Sequence, residues 1–109
     1  MDDLRISDMM DMQSALWSLH QENWAPMEAA FARESLLWMI EEVGESIAII
    51  KKMGDHAIMN DPAVRAHFLE EMSDVLMYFH DVLLRYNISA DEISQAYVTK
   101  HERNLTRFF

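Results

Sequence analysis

Helix breakers are scarce in this chain, which holds two glycines and two prolines among its 109 residues. Relative to alanine, glycine costs about 1 kcal/mol and proline about 3 kcal/mol in a helix interior, so helices end most readily at these four positions. Elsewhere the sequence is rich in Ala, Leu, Met, Glu and Ile, and its apolar residues recur at spacings of three and four. The sequence therefore predicts an all-α fold in a single domain, residues 1–109.

The first half of the chain divides into two predicted helices. Residues 7–23 place apolar and aromatic side chains on one stripe, which predicts an amphipathic first helix. Pro26 then interrupts the chain. A long second helix is predicted over residues 27–53, up to Gly54.

The second half begins with a predicted loop at residues 54–61. Asp61 and Pro62 combine an acidic N-cap with proline at the first helical position, which predicts a third helix to about residue 86. Ser89 and Glu92 form a capping box, so a fourth helix is predicted from there to about residue 107. Four principal helices in so small and apolar a chain predict a bundle completed by homodimerisation.

Two acidic groups lie inside the predicted second and third helices. The first contains Glu41, Glu42 and Glu45, and the second contains Glu71 and Asp74. Residues three and four apart share one face of a helix. Apolar residues flank both groups, and carboxylates beside an apolar core repel one another unless a cation or protons intervene. We therefore expect these five side chains to bind a divalent cation, with Mg2+ as the ion and Mn2+ as the alternative.

Charge and composition exclude several classes of protein. A formal net charge of −10 argues against a nucleic-acid or anionic-membrane binder, because both need a basic surface to engage phosphates. The absence of cysteine leaves no disulfide framework, thiolate metal site or thiol nucleophile. The N-terminus lacks a basic start followed by an apolar run, and no stretch of about 18 uncharged apolar residues occurs. These features predict a cytoplasmic protein.

The predicted fourth helix carries a row of polar groups. Tyr97, Lys100, Asn104 and Arg107 lie at i, i+3, i+7 and i+10, which places them on one stripe. Lysine and arginine supply charged donors and asparagine a neutral one, a combination that suits a polyphosphate. The alternative is that the cations only complement the dipole at the end of a terminal helix.

The acidic pattern resembles a known family signature. E-E-x-x-E at residues 41–45, followed after residues 46–70 by E-x-x-D at residues 71–74, is similar to the motif of the MazG-like all-α nucleoside triphosphate pyrophosphohydrolases. That superfamily includes the dimeric dUTPases and dCTP pyrophosphatases. The similarity covers roughly residues 30–107 and includes a K-x-x-x-N-x-x-R run in the predicted fourth helix.

The resemblance implies a reaction and a set of roles. Water attacks a (deoxy)nucleoside triphosphate between the α and β phosphates with the help of Mg2+, giving a monophosphate and pyrophosphate in nucleotide-pool housekeeping. Glu42 is the expected acceptor of the water's proton. The expected metal ligands are Glu41, Glu42, Glu45, Glu71 and Asp74. The residues expected to hold the phosphates are Lys100, Asn104 and Arg107. Those expected to contact the base are Gln13, Trp17, His20 and Tyr78.

Base preference and assembly stay open at this stage. Lys51 and Lys52 stand where some pyrimidine-specific relatives carry a tryptophan. Trp17, Trp24 and Trp38 are predicted to fill the interior or a subunit interface, because tryptophan on a helix stripe is more often core than a platform for a base. The resemblance implies a homodimer, with a tetramer built as a dimer of dimers as the alternative.

Two other classes compete with this interpretation. Di-iron carboxylate bundles require Glu-x-x-His motifs, and no glutamate lies three residues before a histidine here. The stronger alternative is a non-catalytic dimeric helical interaction module with a structural acidic cluster. It predicts no Mg2+-dependent release of pyrophosphate from any nucleotide, whereas the enzyme turns over at least one.

Overall fold

The structure is a computed structural model that describes residues 2–107. Its helices are α1 (Ile6–His20), α2 (Ala32–Met53), α3 (Asp55–Asn60), α4 (Pro62–Arg85) and α5 (Ala90–Asn104), and a 3-10 turn at Ala29–Phe31 leads into α2. No strand occurs in this part of the chain, so the all-α prediction is confirmed. The four predicted principal helices correspond to α1, α2, α4 and α5.

The central pair of helices is α2 and α4. They run antiparallel, because Ser35 near the start of α2 meets Asp81 near the end of α4, while Glu42 farther along α2 meets Glu71. α1 packs along α4, and α3 packs against both α2 and α4. Among the helices of residues 2–107, α5 contacts α1 alone.

Two helix starts follow the predicted caps. The Asp61 carboxylate accepts hydrogen bonds from the backbone N–H groups of Ala63 at 3.0 Å and Val64 at 3.4 Å. Ser89 and Glu92 bond reciprocally, each side chain accepting the other's backbone N–H at 3.1 Å. These bonds satisfy N–H groups that the first turn of a helix leaves without partners. Both predicted starts are confirmed.

The predicted loop at residues 54–61 is wrong, since most of it forms α3. Ala57 and Ile58 are half-buried on this helix. Gly54 reverses the chain between α2 and α3 with φ at 84°, a conformation that favours glycine. A helix of 6 residues is marginal by itself, so packing against α2 and α4 decides the conformation of this segment.

The linker between α1 and α2, residues 21–31, is longer than the sequence predicts. α1 ends at His20 rather than at residue 23, and the Asn23 N–H bonds to the His20 carbonyl three residues back at 2.9 Å, as in a turn rather than an α-helix. α2 starts at Ala32 rather than at residue 27, after an extended Glu28 and the 3-10 turn. The linker therefore forms a short wall beside α1 instead of two helical turns.

The C-terminal helix is shorter than predicted. α5 ends at Asn104 rather than at residue 107. The N–H groups of Thr106 and Arg107 reach carbonyls three residues back at 3.4 Å, which is a frayed turn rather than helix. Arg107 therefore does not continue the helical stripe of Lys100 and Asn104.

Few apolar side chains are buried within residues 2–107. Those classed as buried core are Met10, Ala32, Ile49 and Leu83. The accessible surface is 8475 Å², whereas a compact monomer of this length exposes about 6,300 Å². The radius of gyration is 16.2 Å against an expected value of about 13 Å. The single chain leaves on the order of 2,000 Å² uncovered that a compact domain would bury.

Much of the exposed apolar surface lies in two stripes. The α2 stripe contains Leu37, Ile40, Gly44 and Ile47, and the α4 stripe contains Leu69, Met72 and Leu76. Their six large side chains are between 41% and 60% exposed. A Cβ placed on Gly44 would meet no atom within 4 Å. No helix in residues 2–107 is both long and apolar enough to span a bilayer.

Candidate metal centre and adjoining cavity

Three acidic side chains converge between α2 and α4. Glu42 from α2 and Glu71 and Asp74 from α4 each bring one carboxylate oxygen to within 4.8 Å of the others. All three residues are half-buried. Antiparallel packing of α2 on α4 creates this carboxylate cluster, because it sets the middle of α2 against the middle of α4.

A hydrogen bond, partial burial and neighbouring charges raise the pKa values of two members of the carboxylate cluster. The pKa of Glu42 is raised from 4.5 to about 7, first by a side-chain hydrogen bond with Glu71, then by partial burial and by the charges of Asp74, Glu71 and Glu45. Burial, followed by the charges of Glu71 and Glu70, raises the pKa of Asp74. Without a cation, protonation of Glu42, which is hydrogen-bonded to Glu71, offsets part of the repulsion near neutral pH.

The carboxylate cluster could hold a hard divalent cation. Oxygens around Mg2+ lie about 2.1 Å from the ion and therefore up to about 4.2 Å from one another, close to the spacing of no more than 4.8 Å found here. All three donors are carboxylates, the ligand type that Mg2+ and Mn2+ prefer. A cation would also relieve the repulsion that raises the pKa of Glu42.

Two of the five predicted metal ligands lie outside the carboxylate cluster. Glu41 and Glu45 are on α2 and are exposed. Glu45 still acts on the cluster, because its charge contributes to the raised pKa of Glu42. Burial is the main reason that the pKa of Tyr78 is raised, and the charge of Glu41 makes a smaller contribution. Metal ligation by Glu41 and Glu45 stays a prediction.

A cavity of about 600 Å³ adjoins the carboxylate cluster. This volume is typical of sites that enclose small-molecule ligands. Its walls come from α1, the linker at residues 21–31, α2 and α4. The lining residues are Gln13, Leu16, Asn23, Trp24, Ala25, Ser35, Trp38, Glu42, Asp74, Met77, Tyr78, Asp81 and Arg85. Because Glu42 and Asp74 belong to both features, a ligand in the cavity can reach the cluster.

Two of the predicted base contacts, Gln13 and Tyr78, line this cavity. Gln13 is only 8% exposed, and none of the hydrogen bonds among residues 2–107 involves its side-chain amide. A buried amide without a protein partner is available to a ligand or to water. Tyr78 lies one turn beyond Asp74 on the same stripe of α4, so it borders the carboxylate cluster.

The other two predicted base contacts, Trp17 and His20, support the linker instead of lining the cavity. The Trp17 indole N–H donates to the carbonyl of Ala25 at 2.8 Å. The His20 ring stacks on Trp24 with centroids 4.8 Å apart and an angle of 28° between the ring planes. A direct contact of Trp17 or His20 with a base stays a prediction.

Two tryptophans that were predicted to fill the interior or an interface line the cavity. Trp24 is 39% exposed and Trp38 is 51% exposed. Neither side chain fills the interior of the single chain, and their placement at a subunit interface stays a prediction. The pattern of the sequence contains little to reveal this, since a helix stripe looks the same beside a core and beside a cavity.

A buried ion pair lies deeper in the cavity and was missed by the sequence analysis. Arg85 Nε donates to Asp81 Oδ2 at 2.8 Å, and the Ser35 hydroxyl donates to the same oxygen. All three residues are less than 9% exposed. In the sequence, Asp81 and Arg85 are two opposite charges four residues apart near the end of α4. This spacing alone does not distinguish a buried ion pair from one on the surface.

The predicted phosphate-binding residues do not join the carboxylate cluster within one chain. Lys100 and Asn104 lie on α5, which packs against α1 and not against α2 or α4 in the described residues. Lys100 is exposed. The side-chain oxygen of Asn104 is buried and has no hydrogen-bond partner among residues 2–107. Phosphate binding by Lys100, Asn104 and Arg107 stays a prediction.

The raised pKa of Glu42 makes the stability of the metal-free protein depend on pH. Proton binding at Glu42 contributes stability that is fully present below pH 4.5 and is lost as pH rises through about 7. Glu42→Gln removes this titration. Urea unfolding with a chelator at about pH 5 and about pH 8 should therefore show a smaller loss of unfolding free energy in the variant than in the wild type.

The matched control for this measurement is Glu41→Gln. It removes the same charge from the neighbouring exposed residue, so the wild-type dependence on pH should persist. An unchanged dependence in Glu42→Gln would contradict the raised pKa of Glu42.

Comparisons of this chain with models of protein families, with curated proteins and with solved structures found no match. The likeness to the MazG-like superfamily therefore rests on the sequence pattern alone.

Proposed function

We propose that this protein is a Mg2+-dependent nucleoside triphosphate pyrophosphohydrolase of the nucleotide pool in the cytoplasm. The observation that carries the proposal is the position of the carboxylate cluster on the wall of a cavity of about 600 Å³. A net charge of −10 disfavours direct binding of an anionic nucleotide, so a cation on the cluster supplies the attraction.

The two ends of the cavity suit the two ends of a nucleotide. Glu42 and Asp74 would hold Mg2+ at the end of the cavity that receives the phosphates. Trp24 offers a flat apolar face to the base, and Gln13 offers an amide that can donate and accept. Trp38 also lines the cavity, one turn of α2 before Glu42. Base, sugar and metal-bound phosphates then lie along one cavity.

The reaction that fits is attack of water between the α and β phosphates. Mg2+ would neutralise phosphate charge and make a bound water more acidic. Glu42 is the proposed acceptor of the proton of the attacking water, because it belongs both to the carboxylate cluster and to the wall of the cavity. Tyr78 stays protonated and donates a hydrogen bond toward the phosphates, since burial and the nearby acidic groups raise its pKa.

Replacing a member of the carboxylate cluster tests this proposal directly. Asp74→Asn keeps the shape of the side chain and removes one ligand charge. Loss of a residue that only hydrogen-bonds to a metal ligand lowers metal affinity or activity by about 10- to 100-fold. Loss of a ligand charge should do more, so Asp74→Asn should lower kcat/KM by on the order of 100-fold or more. The measurement is Mg2+-dependent pyrophosphate release over canonical and modified (d)NTPs.

The control is Glu70→Gln, an exposed acidic neighbour outside the cluster that should keep near-wild-type turnover. Equal activity of Asp74→Asn and Glu70→Gln would remove the cluster from the reaction. A wild-type protein that releases no pyrophosphate from any nucleotide would favour the interaction module instead.

We also propose that the working form is a homodimer. The apolar stripes on α2 and α4 lie on the two helices that build the site, and their exposed side chains have no other cover within residues 2–107. The excess surface of about 2,000 Å² per chain is within the range that obligate dimers bury. Pairing α2 and α4 with their copies gives a four-helix core, and open space at Gly44 permits close approach of a partner helix.

A charge inserted in the α2 stripe should separate the subunits. Ile40 is 60% exposed in the single chain and would be covered in the dimer. Ile40→Glu would bury an unpaired carboxylate at that interface, so sedimentation velocity should show a shift to monomer. Leu19→Glu alters an apolar side chain that is 75% exposed outside both stripes, and it should stay dimeric. Dimers of unchanged stability in Ile40→Glu would exclude this interface.

The position of α5 suggests that it acts on the site of the partner subunit. Lys100 does not join the carboxylate cluster of its own chain, and the buried oxygen of Asn104 lacks a partner in residues 2–107. A mixture of Asp74→Asn and Lys100→Ala subunits tests this, because each heterodimer would hold one intact site. Random exchange should restore about a quarter of wild-type activity from two weakly active proteins. Activity no greater than the mean of the parents would place Lys100 in its own subunit's site or outside the site.

A further inference from the structure

The guanidinium of Arg85 joins three parts of the chain. Its Nε donates to Asp81 on the same helix, while one terminal nitrogen donates to the carbonyls of Ala25, at 3.3 Å, and Pro26. Asp81 in turn accepts from Ser35 of α2. Arg85 is 7% exposed, so these bonds are shielded from water.

The carbonyls that Arg85 holds belong to the wall of the cavity. Asn23, Trp24 and Ala25 line that wall, and the Trp17 indole N–H supplies a second bond to the Ala25 carbonyl. The linker has no helix of its own at these residues. Hydrogen bonds from Trp17 of α1 and Arg85 of α4 therefore hold the linker in place beside these two helices.

The ion pair is better suited to fixing geometry than to adding stability. The free energy needed to remove two charges from water offsets most of their mutual attraction. A buried pair therefore contributes little more to stability than apolar side chains of the same size. A planar fork, however, holds a carboxylate and carbonyls in one fixed arrangement, which an apolar side chain or a lysine does not reproduce.

We propose that Arg85 is a positioning residue that shapes the base end of the cavity by anchoring the linker that carries Trp24. The proposal rests on the proposed nucleotide hydrolysis. The cavity would then have two parts. The carboxylate cluster would bind the cation and the phosphates, and the anchored linker would contact the base. Loss of the anchor should weaken nucleotide binding while leaving the metal and phosphate end intact.

Two variants test the anchor without leaving an unpaired buried charge. Arg85→Lys keeps a cation beside Asp81 but lacks the fork. The double variant Asp81→Asn with Arg85→Met removes both charges. Because the two variants change the site in different ways, an effect seen in both reports loss of the anchor, whereas an effect seen in only one reports a folding defect of that variant. Arg33→Lys, at an exposed arginine of α2, is the matched control.

The first measurement is hydrogen exchange of the linker amides in protein free of nucleotide. Both variants should exchange faster at residues 23–28, with unchanged protection in the central turns of α2 and α4. The second is steady-state kinetics, where KM for the best nucleotide should rise at least about tenfold with kcat near the wild-type value. The third is inhibition by Mg2+-pyrophosphate, which should not change, because pyrophosphate has no base.

Several results would overturn the proposal. One is wild-type exchange of the linker in both variants. Another is an equal loss of affinity for nucleotide and pyrophosphate, which would show general loosening of the site. A fall in kcat at constant KM would place Arg85 in the chemistry instead. Absence of turnover in the wild type would refute the proposed function, and linker exchange would still decide whether Arg85 anchors the wall.

Discussion

Repulsion among Glu42, Glu71 and Asp74 is the interaction on which the rest of the site depends. The packing of α2 on α4 forces three half-buried carboxylates together, and it does so at a cost, because each favours the charged form in water. Protonation of Glu42 offsets part of that cost in the metal-free protein, and a bound divalent cation would offset more of it. Charge at the cluster therefore links the stability of the fold to the occupancy of the site.

Structural features that depend on contacts within a few residues of the chain could be predicted from the sequence. The Asp61 cap and the Ser89–Glu92 capping box involve atoms two or three residues apart, so the pattern determines the bonds. α3 and the linker could not be predicted in this way. Their conformations depend on contacts with α2, α4 and the Arg85 side chain, which lie far away in sequence.

The composition of the site was partly predictable for the same reason. Spacing places acidic residues on one face of each helix, but the rotation of α2 against α4 selects Glu42 and leaves Glu41 and Glu45 exposed. The Asp81–Arg85 pair has the spacing of an ordinary surface ion pair, and only the structure shows that both residues are more than nine-tenths buried in the wall of the cavity. The proposed contribution of α5 would depend on a second subunit, which no local pattern describes.

The two candidate functions explain the structure unequally. An interaction module accounts for the apolar stripes, since these need only a partner to cover them. It gives no reason for three converging carboxylates, whose repulsion weakens the very fold that such a module requires. It also leaves unexplained a cavity that adjoins this cluster and whose wall is held by a buried arginine. Residues that lower stability while shaping one cavity are typical of a site kept for chemistry, so the cluster and the anchored wall together favour the enzyme.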